Sequence, residues 1–387
     1  MAVAEGQAAP QQAGPVRLIL PPVIYAVPGI ECNIYFDNII LALDRDNYAF
    51  DVDCVKGMQL SERWTCTPGE KDIGEYLITI RVLDSSNALV ASAESVLHVS
   101  PDALMSGGRA TLLIVGASFT EYSIYPRHIL DLSRRGGPSG LKLIGSRGSG
   151  NMPPTDDLRH EGYSGWTAQA FATKAGPLSR SGYHHRPGTG SPFVYSRPDG
   201  SSSLDFAAYC REFNDGVGPD MVTIQVGTND VFSATDETID RVINEMFTHY
   251  EALIASIHEA RSDTHIGVVM VTPPSASQDG FRNYRGAGKQ TRWQLRRNQH
   301  RLMERMLEHF VGREDENVFF LPSYLNLDCE VNFPTWTAAR NARSKDPTTR
   351  VNNGTHPSEA GYQQIGDGMY AWVCAQMQKR PPGTTGP

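Results

Sequence analysis

The serine at position 118 stands where a nucleophile could be presented to a substrate. It follows the apolar run Thr111–Val115 and Gly116, a pattern that predicts a buried parallel strand leading into a turn. Ligands bind beyond the carboxyl ends of such strands, and a serine there can expose its Oγ beside N–H groups able to hold an oxyanion. Taken alone, the segment favours an ordinary helix cap, because capping serines are far commoner than nucleophilic ones.

A histidine near the C-terminus could act as the base for such a serine. His356 lies in the sequence NGTHPS at 353–358, just before a periodic apolar segment. Because Pro357 disfavours helical geometry at the preceding residue, His356 is expected on a loop. A lone histidine is usually structural, but a loop imidazole that titrates near neutrality is suited to general base catalysis.

Two other segments contain groups that could stabilise a developing negative charge. Residues 161–167, EGYSGWT, place two glycines around a serine, which permits a tight loop with outward-facing N–H groups. Residues 226–230, VGTND, end a second apolar run, and the side chain of Asn229 can donate N–H groups to an oxyanion. An ordinary turn in each segment would explain the same residues.

Together, and in this order, the four segments resemble the signature blocks of the SGNH (GDSL-type) hydrolases, a family of serine esterases. The resemblance covers residues 111–377 and is closest in GTND at 227–230 and HPS at 356–358. It implies an α/β fold of three layers, flavodoxin-like, with a parallel sheet. A preceding small all-β sandwich resembles the accessory domains attached to carbohydrate esterases.

The same resemblance implies a role for each of four residues. Ser118 would be the nucleophile and His356 its base. The oxyanion hole would be formed by the N–H groups of Ser118 and Gly165 and by the side chain of Asn229. These roles describe acyl transfer in two steps through an acyl-enzyme, for which no metal or organic cofactor is expected.

Two positions depart from the family pattern. Ala117 replaces the aspartate that usually precedes the nucleophile, which changes the surroundings more than the chemistry. Asn353 replaces the aspartate that usually holds the histidine, and such a change lowers the rate by about 10⁴-fold in a serine protease. Asn353 could orient the ring through its carbonyl oxygen, or a backbone carbonyl or another acid could do so. The candidate acids are Glu121, Glu161 and Asp328.

The substrate is expected to be a short acyl ester, such as an acetyl ester, on a polysaccharide or oligosaccharide. Aromatic residues in or near the site segments could stack on sugar rings: Tyr122, Tyr125, Tyr163 and Trp166. A thioesterase or general small-ester hydrolase is the alternative enzyme. A carbohydrate-binding protein of weak or lost activity is the alternative from another class, and the departures at Ala117 and Asn353 keep it open.

The elements that must position these residues begin after Arg109, where apolar strands and amphipathic helices alternate. The strands are expected at 111–115, 221–226, 266–271 and 318–321, and the helices at 239–257, 295–310 and 362–377. This alternation predicts a parallel sheet covered on both faces, in a catalytic domain spanning 106–380. The long segment 176–203 lacks periodicity and is either a functional loop or a solvated excursion.

The preceding region, 16–105, is expected to be a small antiparallel sandwich. Short apolar runs separated by turn residues predict strands at 17–20, 32–36, 50–53, 63–67, 76–83 and 88–99, with a hairpin turn at 84–87. Residues 101–109 are expected to be a linker, and residues 1–15 a disordered lead-in.

Composition excludes several function classes. The 387 residues carry a net charge of −8, which disfavours binding to nucleic acid or an anionic membrane, and no apolar run could span a bilayer. The N-terminus lacks signal-peptide features, so either the protein is cytoplasmic or a signal was removed earlier.

The six cysteines favour buried thiols, with one Cys54–Cys66 bridge conceivable. The adjacent His184 and His185 suit a polar loop better than a metal site.

Overall fold

The computed structural model describes residues 16–178, 189–282 and 290–379. The predicted lead-in at 1–15 and His184–His185 therefore lie outside the described residues. Described residues 16–100 contain seven strands and one short α-helix, which are β1 (Val23–Ala26), β2 (Cys32–Tyr35), α1 (Phe36–Ile39), β3 (Ala49–Asp53), β4 (Met58–Gln59), β5 (Arg63–Cys66), β6 (Gly74–Leu83) and β7 (Leu89–Val99).

These strands form two small sheets, in the orders β1-β7-β6-β3 and β2-β5-β4. The predicted β6–β7 hairpin is confirmed, and Asp84 closes its turn by accepting the N–H groups of Ser86 and Ala88. The expected strand at 17–20 is wrong, because only an isolated bridge forms there. A strand instead follows Pro21 and Pro22, which lack N–H donors, and it pairs parallel to β7, so the region is not wholly antiparallel.

The rest of the chain alternates strands with helices. The strands are β8 (Ala110–Gly116), β9 (Leu141–Ile144), β10 (Glu161–Gly162), β11 (Val194–Ser196), β12 (Ser202–Leu204), β13 (Met221–Gln225), β14 (His265–Val269), β15 (Val318–Leu321), β16 (Thr335–Ala339) and β17 (Pro347–Val351). The helices are α2 (Ser118–Glu121), α3 (Ile124–Leu132), α4 (Ala168–Thr173), α5 (Phe206–Phe213), α6 (Thr228–Val231), α7 (Ile239–Ala260), α8 (Arg292–Phe310) and α9 (Glu359–Lys379).

The central sheet is parallel and has the flavodoxin-like order. β8 pairs with β9 and β10 on one side and with β13 on the other, followed by β14 and β15. Its side chains alternate between two cores. Leu112 and Ile114 belong to the core shared with α3 and α9, whereas Leu113 and Val115 belong to the core shared with α4, α7 and α8. The predicted three-layer α/β fold is confirmed.

Many contacts cross the junction between the two parts of the chain. The Asn38 side chain donates to the carbonyls of Tyr324 and Leu327 at 2.8 and 2.7 Å, and buried Arg296 of α8 donates to the Ile40 carbonyl. One apolar cluster also contains residues from both parts. The segment 101–109 is held by Asp102, whose carboxylate accepts from the hydroxyl of Tyr370 at 2.7 Å. The boundary near residue 105 therefore remains a prediction.

The remaining features of the described chain are simple. All six cysteines are free, so the conceivable Cys54–Cys66 bridge is wrong; Cys66 lies opposite Cys32 across the β2–β5 pair. Within 16–178, 189–282 and 290–379, no helix has the length and apolarity that crossing a membrane requires. The described portion of the segment 176–203 contains β11 and the first two residues of β12, which pair as an antiparallel hairpin.

Candidate active site

Ser118 and His356 meet at the carboxyl edge of the parallel sheet. Ser118 begins α2, two residues after β8, and His356 lies on the loop before α9. The Ser118 Oγ is 2.8 Å from the His356 Nε2. This distance is that of a hydrogen bond between a nucleophile and its base. The structure therefore brings together two predicted residues that are 238 positions apart in the chain.

The turn before Ser118 depends on a glycine. A Cβ at Gly116 would lie 2.1 Å from the Oγ1 of Thr120 on the first turn of α2 and 3.1 Å from the Gln225 carbonyl, so a larger residue would displace Thr120. Ala117, at the family's aspartate position, lines the same cavity as Ser118 and is buried. Its methyl group adds neither charge nor hydrogen bonds to the cavity wall beside Ser118.

The segment around Gly165 lies beside Ser118 and is held by three hydrogen bonds. Tyr163 N–H donates to the Gly116 carbonyl at 2.9 Å, and Ser164 N–H donates to the Glu121 carboxylate at 2.7 Å. The Trp166 carbonyl accepts from the Asn229 side chain at 2.9 Å. Gly165 has φ +75°, a backbone conformation that favours glycine.

Asn229 reaches the cavity from the start of α6, directly after β13. One N–H of its side-chain amide is used on the Trp166 carbonyl, and the other can donate to a ligand. Ser118, Gly165, Asn229 and His356 all line one cavity of about 260 Å³ that is open to solvent. The structure thus places every residue predicted for the oxyanion hole around one space.

Asp230, the residue after Asn229, also holds this part of the site in place. Its Oδ1 accepts the Ala168 N–H at 3.1 Å, which ties α4 to α6. Burial raises the pKa of Asp230 to about 6. Sequence reasoning missed this anchoring role and that of Glu121, which was considered only as a triad acid. Their positions inside the two signature segments were the available signal.

Asn353 contacts His356, but not in the expected way. Its Oδ1 accepts the N–H groups of Thr355 and His356, each at 2.9 Å. Its Nδ2 lies 3.4 Å from the Nδ1 of His356. The expectation that the carbonyl oxygen orients the ring is therefore wrong, because the backbone turn already occupies that oxygen.

The candidate acids are bonded elsewhere. Glu121 accepts the Ser164 N–H, and Asp328 accepts the N–H groups of Glu330 and Val331. Glu161 is buried and accepts from Ser146, Tyr163 and Tyr209. Among the described residues, none of the three is hydrogen-bonded to the His356 ring. Burial lowers the pKa of His356 to about 4, with no carboxylate acting against that effect.

The predicted sugar-stacking aromatics separate into two groups. Tyr122 is 53% exposed, and its ring centroid is 5.2 Å from that of His356. Tyr163 and Trp166 are buried and stacked on each other at 4.3 Å, and Tyr125 is fully buried. The expectation that these three rings face a substrate is corrected, because each is packed inside the protein.

A second Ser–His pair lies close by. The Ser123 Oγ is 2.8 Å from the His160 Nε2, and the His160 Nδ1 accepts the Gly162 N–H at 3.1 Å. Both side chains are buried. Sequence reasoning missed this pair, for which the only signal was the position of His160 beside the EGYSG segment. Within the described residues, no group of three or more histidines, cysteines and acids could hold a metal ion.

Comparison with known proteins gives one family and several similar structures. Residues 115–369 match the model for the GDSL-like lipase/acylhydrolase family. A structure of an acetyl esterase mutant with acetate ion is similar at 15% identity and a TM-score of 0.37, over 70% of this chain and 99% of that one.

Two further solved structures show a comparable likeness. A carbohydrate acetylesterase family member from Sinorhizobium meliloti is similar at 12% identity and a TM-score of 0.38, over 70% of this chain and 99% of that one. An acetyl xylan esterase is similar at 14% identity and a TM-score of 0.35, over 68% and 99% of the two chains. No curated protein matches this sequence significantly.

Proposed function

Since the chain belongs to the GDSL-like lipase/acylhydrolase family and is a carboxylic ester hydrolase, we propose that it removes short acyl groups, such as acetyl, from a carbohydrate through an acyl-enzyme on Ser118. The observation that carries this proposal is the 2.8 Å contact between Ser118 Oγ and His356 Nε2 inside a solvent-accessible cavity. The contact joins a nucleophile to a base where a substrate can reach both.

The proposed reaction uses groups that already surround this contact. His356 takes the proton from Ser118 as the Oγ attacks the ester carbonyl. The N–H groups of Ser118 and Gly165 and the amide of Asn229 stabilise the tetrahedral oxyanion. His356 then protonates the departing alkoxide, and water hydrolyses the acyl-enzyme by the same steps in reverse order.

The cavity supports a short acyl group. Its wall carries the apolar side chains of Val226, Phe232 and Val271 beside the polar catalytic groups. An acetyl methyl group needs only a small apolar contact of this kind. A long acyl chain would require an extended apolar channel leading away from Ser118, whereas the described cavity lining is interrupted by the polar residues Ser164, Gln225 and Thr355.

An exposed aromatic ring beside His356 supports a sugar as the leaving group. The same imidazole that protonates the alkoxide lies beside Tyr122, whose ring is exposed. An aromatic face can pack on the C–H face of a pyranose. The sugar whose oxygen leaves the acyl carbon of the tetrahedral intermediate would therefore lie with its ring against Tyr122.

The proposal is tested by hydrolysis of p-nitrophenyl esters of increasing acyl length, of acetylated xylooligosaccharides and of an acetyl thioester. We expect turnover of the acetyl ester and the acetylated sugar, with kcat/KM falling as the acyl chain lengthens. The same assays with Ser118→Ala should show no turnover above background. A preference for long acyl chains or for the thioester would contradict the substrate assignment.

A carbohydrate-binding protein of low turnover is the second candidate, because the Nδ2 of Asn353 faces the His356 ring at 3.4 Å. This candidate predicts binding of the acetylated sugar, measured by calorimetry, without release of acetate. Acetate release that depends on Ser118 would exclude it.

A further inference from the structure

We infer that Asn353 is a positioning residue that holds neutral His356 in the tautomer protonated at Nε2, and thereby restrains ester hydrolysis. The inference rests on the proposed function for its kinetic consequence, whereas its structural part concerns only the imidazole. It concerns Asn353 because this residue replaces the aspartate that usually holds the histidine in this family.

The orientation of the Asn353 amide is fixed by its own loop. Oδ1 accepts two backbone N–H groups, those of Thr355 and His356, each at 2.9 Å. Turning the amide by 180° would place its NH₂ group against both donors and remove two hydrogen bonds. The amide nitrogen must therefore face the His356 ring, where it lies 3.4 Å from Nδ1.

A donor facing Nδ1 selects the tautomer of the ring. The nitrogen that faces an N–H group keeps its lone pair, so the single proton of the neutral imidazole resides on the other nitrogen. That nitrogen is Nε2, which lies 2.8 Å from the Ser118 Oγ. The resting bond then runs from Nε2–H to Oγ, opposite to the direction in which a general base accepts the proton of serine.

The imidazolium formed at His356 during catalysis is also poorly stabilised. After taking the proton from Ser118, His356 carries N–H groups at both Nδ1 and Nε2. Its Nδ1–H would point at the NH₂ group of Asn353, so two donors would face each other where an aspartate would supply an acceptor and a negative charge. The described side chains that contact the ring are those of Ser118, Phe119, Tyr122 and Asn353. None of these four carries a charge at neutral pH.

The Ser123–His160 pair shows the same arrangement within this molecule. The Gly162 N–H donates to the His160 Nδ1 at 3.1 Å, so the proton lies on Nε2 and is donated to the Ser123 Oγ. There the bond is buried and serves packing. At His356 the same donor pattern occurs at a solvent-accessible nucleophile, where it affects the reaction.

Aspartate at position 353 would replace the atom that faces the ring and add one negative charge. One carboxylate oxygen can keep both backbone N–H groups, and the other replaces Nδ2 with an acceptor of nearly equal size. Asn352→Asp is the matched control, because it adds the same charge one residue away at an exposed position whose Oδ1 contacts Arg282.

The first arm of the test is spectroscopic and uses the wild-type protein. Two-bond ¹H–¹⁵N correlation spectra identify which ring nitrogen carries the proton, and His356→Gln assigns the resonance among the histidines. We expect the proton on Nε2 in wild type and on Nδ1 in Asn353→Asp. A wild-type ring protonated at Nδ1 would overturn the inference whether or not any variant folds.

The second arm measures kcat/KM for p-nitrophenyl acetate and an acetylated xylooligosaccharide. Asn353→Asp should raise it by about 10²-fold or more, part of the ~10⁴-fold that separates the two residues in a serine protease, while Asn352→Asp changes it less than about 2-fold. His356 acts as a base only when neutral. Because a carboxylate raises the pKa of the imidazole, the acid limb of the pH profile should move upward from about 4.

The possible failures are distinguishable. An unchanged or lower rate for a folded Asn353→Asp, with wild type active and Ser118→Ala inactive, would overturn the restraint and leave the proposed function standing. Inactivity of wild type and Asn353→Asp alike, with the Nε2–H tautomer observed, would overturn the proposed function and leave the tautomer supported.

Discussion

The Ser118–His356 and Ser123–His160 pairs start five residues apart and have the same geometry. In each, the serine Oγ lies 2.8 Å from the histidine Nε2. The first pair lines an open cavity, whereas the second is enclosed between the end of α2 and the start of β10. Distance between a serine and a histidine therefore does not identify a nucleophile. The two pairs differ in their access to solvent and in the proposed oxyanion donors around Ser118.

The surroundings of the two rings differ in a second way. Burial lowers the pKa of His160 to about 3, and the nearby Arg147 contributes in the same direction. His356 is lowered to about 4 by burial alone and stays partly exposed. Both rings are neutral at pH 7, but only His356 can exchange protons with a molecule in the cavity.

The largest expected difference between the pairs is in turnover. Ser118→Ala should reduce kcat for acetyl ester hydrolysis by about 10⁴-fold, less than the ~10⁶-fold effect of removing the serine from a protease with a complete triad, because Asn353 already restrains the wild type by about 10²-fold. Ser123→Ala should keep more than a tenth of the wild-type rate. Hydrolysis of p-nitrophenyl acetate by both variants measures this, and equal losses in the two would break the comparison.

A smaller loss is expected when an oxyanion donor is removed. Asn229→Ala should lower kcat by about 10²–10³-fold with little change in KM, because the amide acts on charge present only in the transition state. Since Asn229 also donates to the Trp166 carbonyl, thermal unfolding should accompany the kinetics. A rise in KM at constant kcat would show that the amide binds substrate and does not stabilise the oxyanion.

The loss of stability should be larger for Ser123→Ala than for Ser118→Ala, the reverse of the order expected for turnover. Ser123→Ala leaves the buried His160 Nε2 without its partner and should lower the free energy of unfolding by about 1–3 kcal/mol. Ser118→Ala should lower it by less than about 1 kcal/mol, because water can reach His356. Urea unfolding of both variants checks this order, and a greater loss in Ser118→Ala would contradict the structural role given to Ser123.

The smallest expected effect is on the KM for the carbohydrate substrate. Tyr122→Ala should raise KM for an acetylated oligosaccharide by about 5–10-fold and leave p-nitrophenyl acetate hydrolysis nearly unchanged, because only the sugar ring would use the exposed aromatic face. Trp336→Ala is the control, since this tryptophan is also exposed, at 40%, but its ring lies against Arg282 and not against His356. Equal effects on both substrates would remove the assignment of Tyr122.

The sequence predicted the parts of the fold that carry a strong apolar pattern. Helices α7 and α8 have apolar residues at helical spacing, and β13 and β15 are continuous buried runs, so each was found within a few residues. The β16–β17 hairpin gave no signal, because its residues are mostly exposed and polar. Strand β1 was also missed, since its parallel partner β7 is distant in sequence.

The functional site, like the fold, could be predicted only in part from the sequence. Residue types and order predicted that Ser118, Gly165, Asn229 and His356 would share one space, and the structure places them around one cavity. Sequence could not show which way the Asn353 amide turns, because that depends on two backbone N–H groups of its own loop. Nor could it separate exposed Tyr122 from buried Trp166, since residue type does not determine burial.

Mass spectrometric mapping of a covalent adduct tests the identity of the nucleophile most directly. The protein would be incubated with a fluorophosphonate, which bonds to activated serines, and digested with trypsin. Residues 110–127 form one tryptic peptide containing both Ser118 and Ser123, so fragmentation of this peptide decides between them. We predict the adduct on Ser118 and none in Ser118→Ala. An adduct on Ser123 or on another residue, or an unmodified peptide after complete inhibition of hydrolysis, would contradict the proposed role of Ser118.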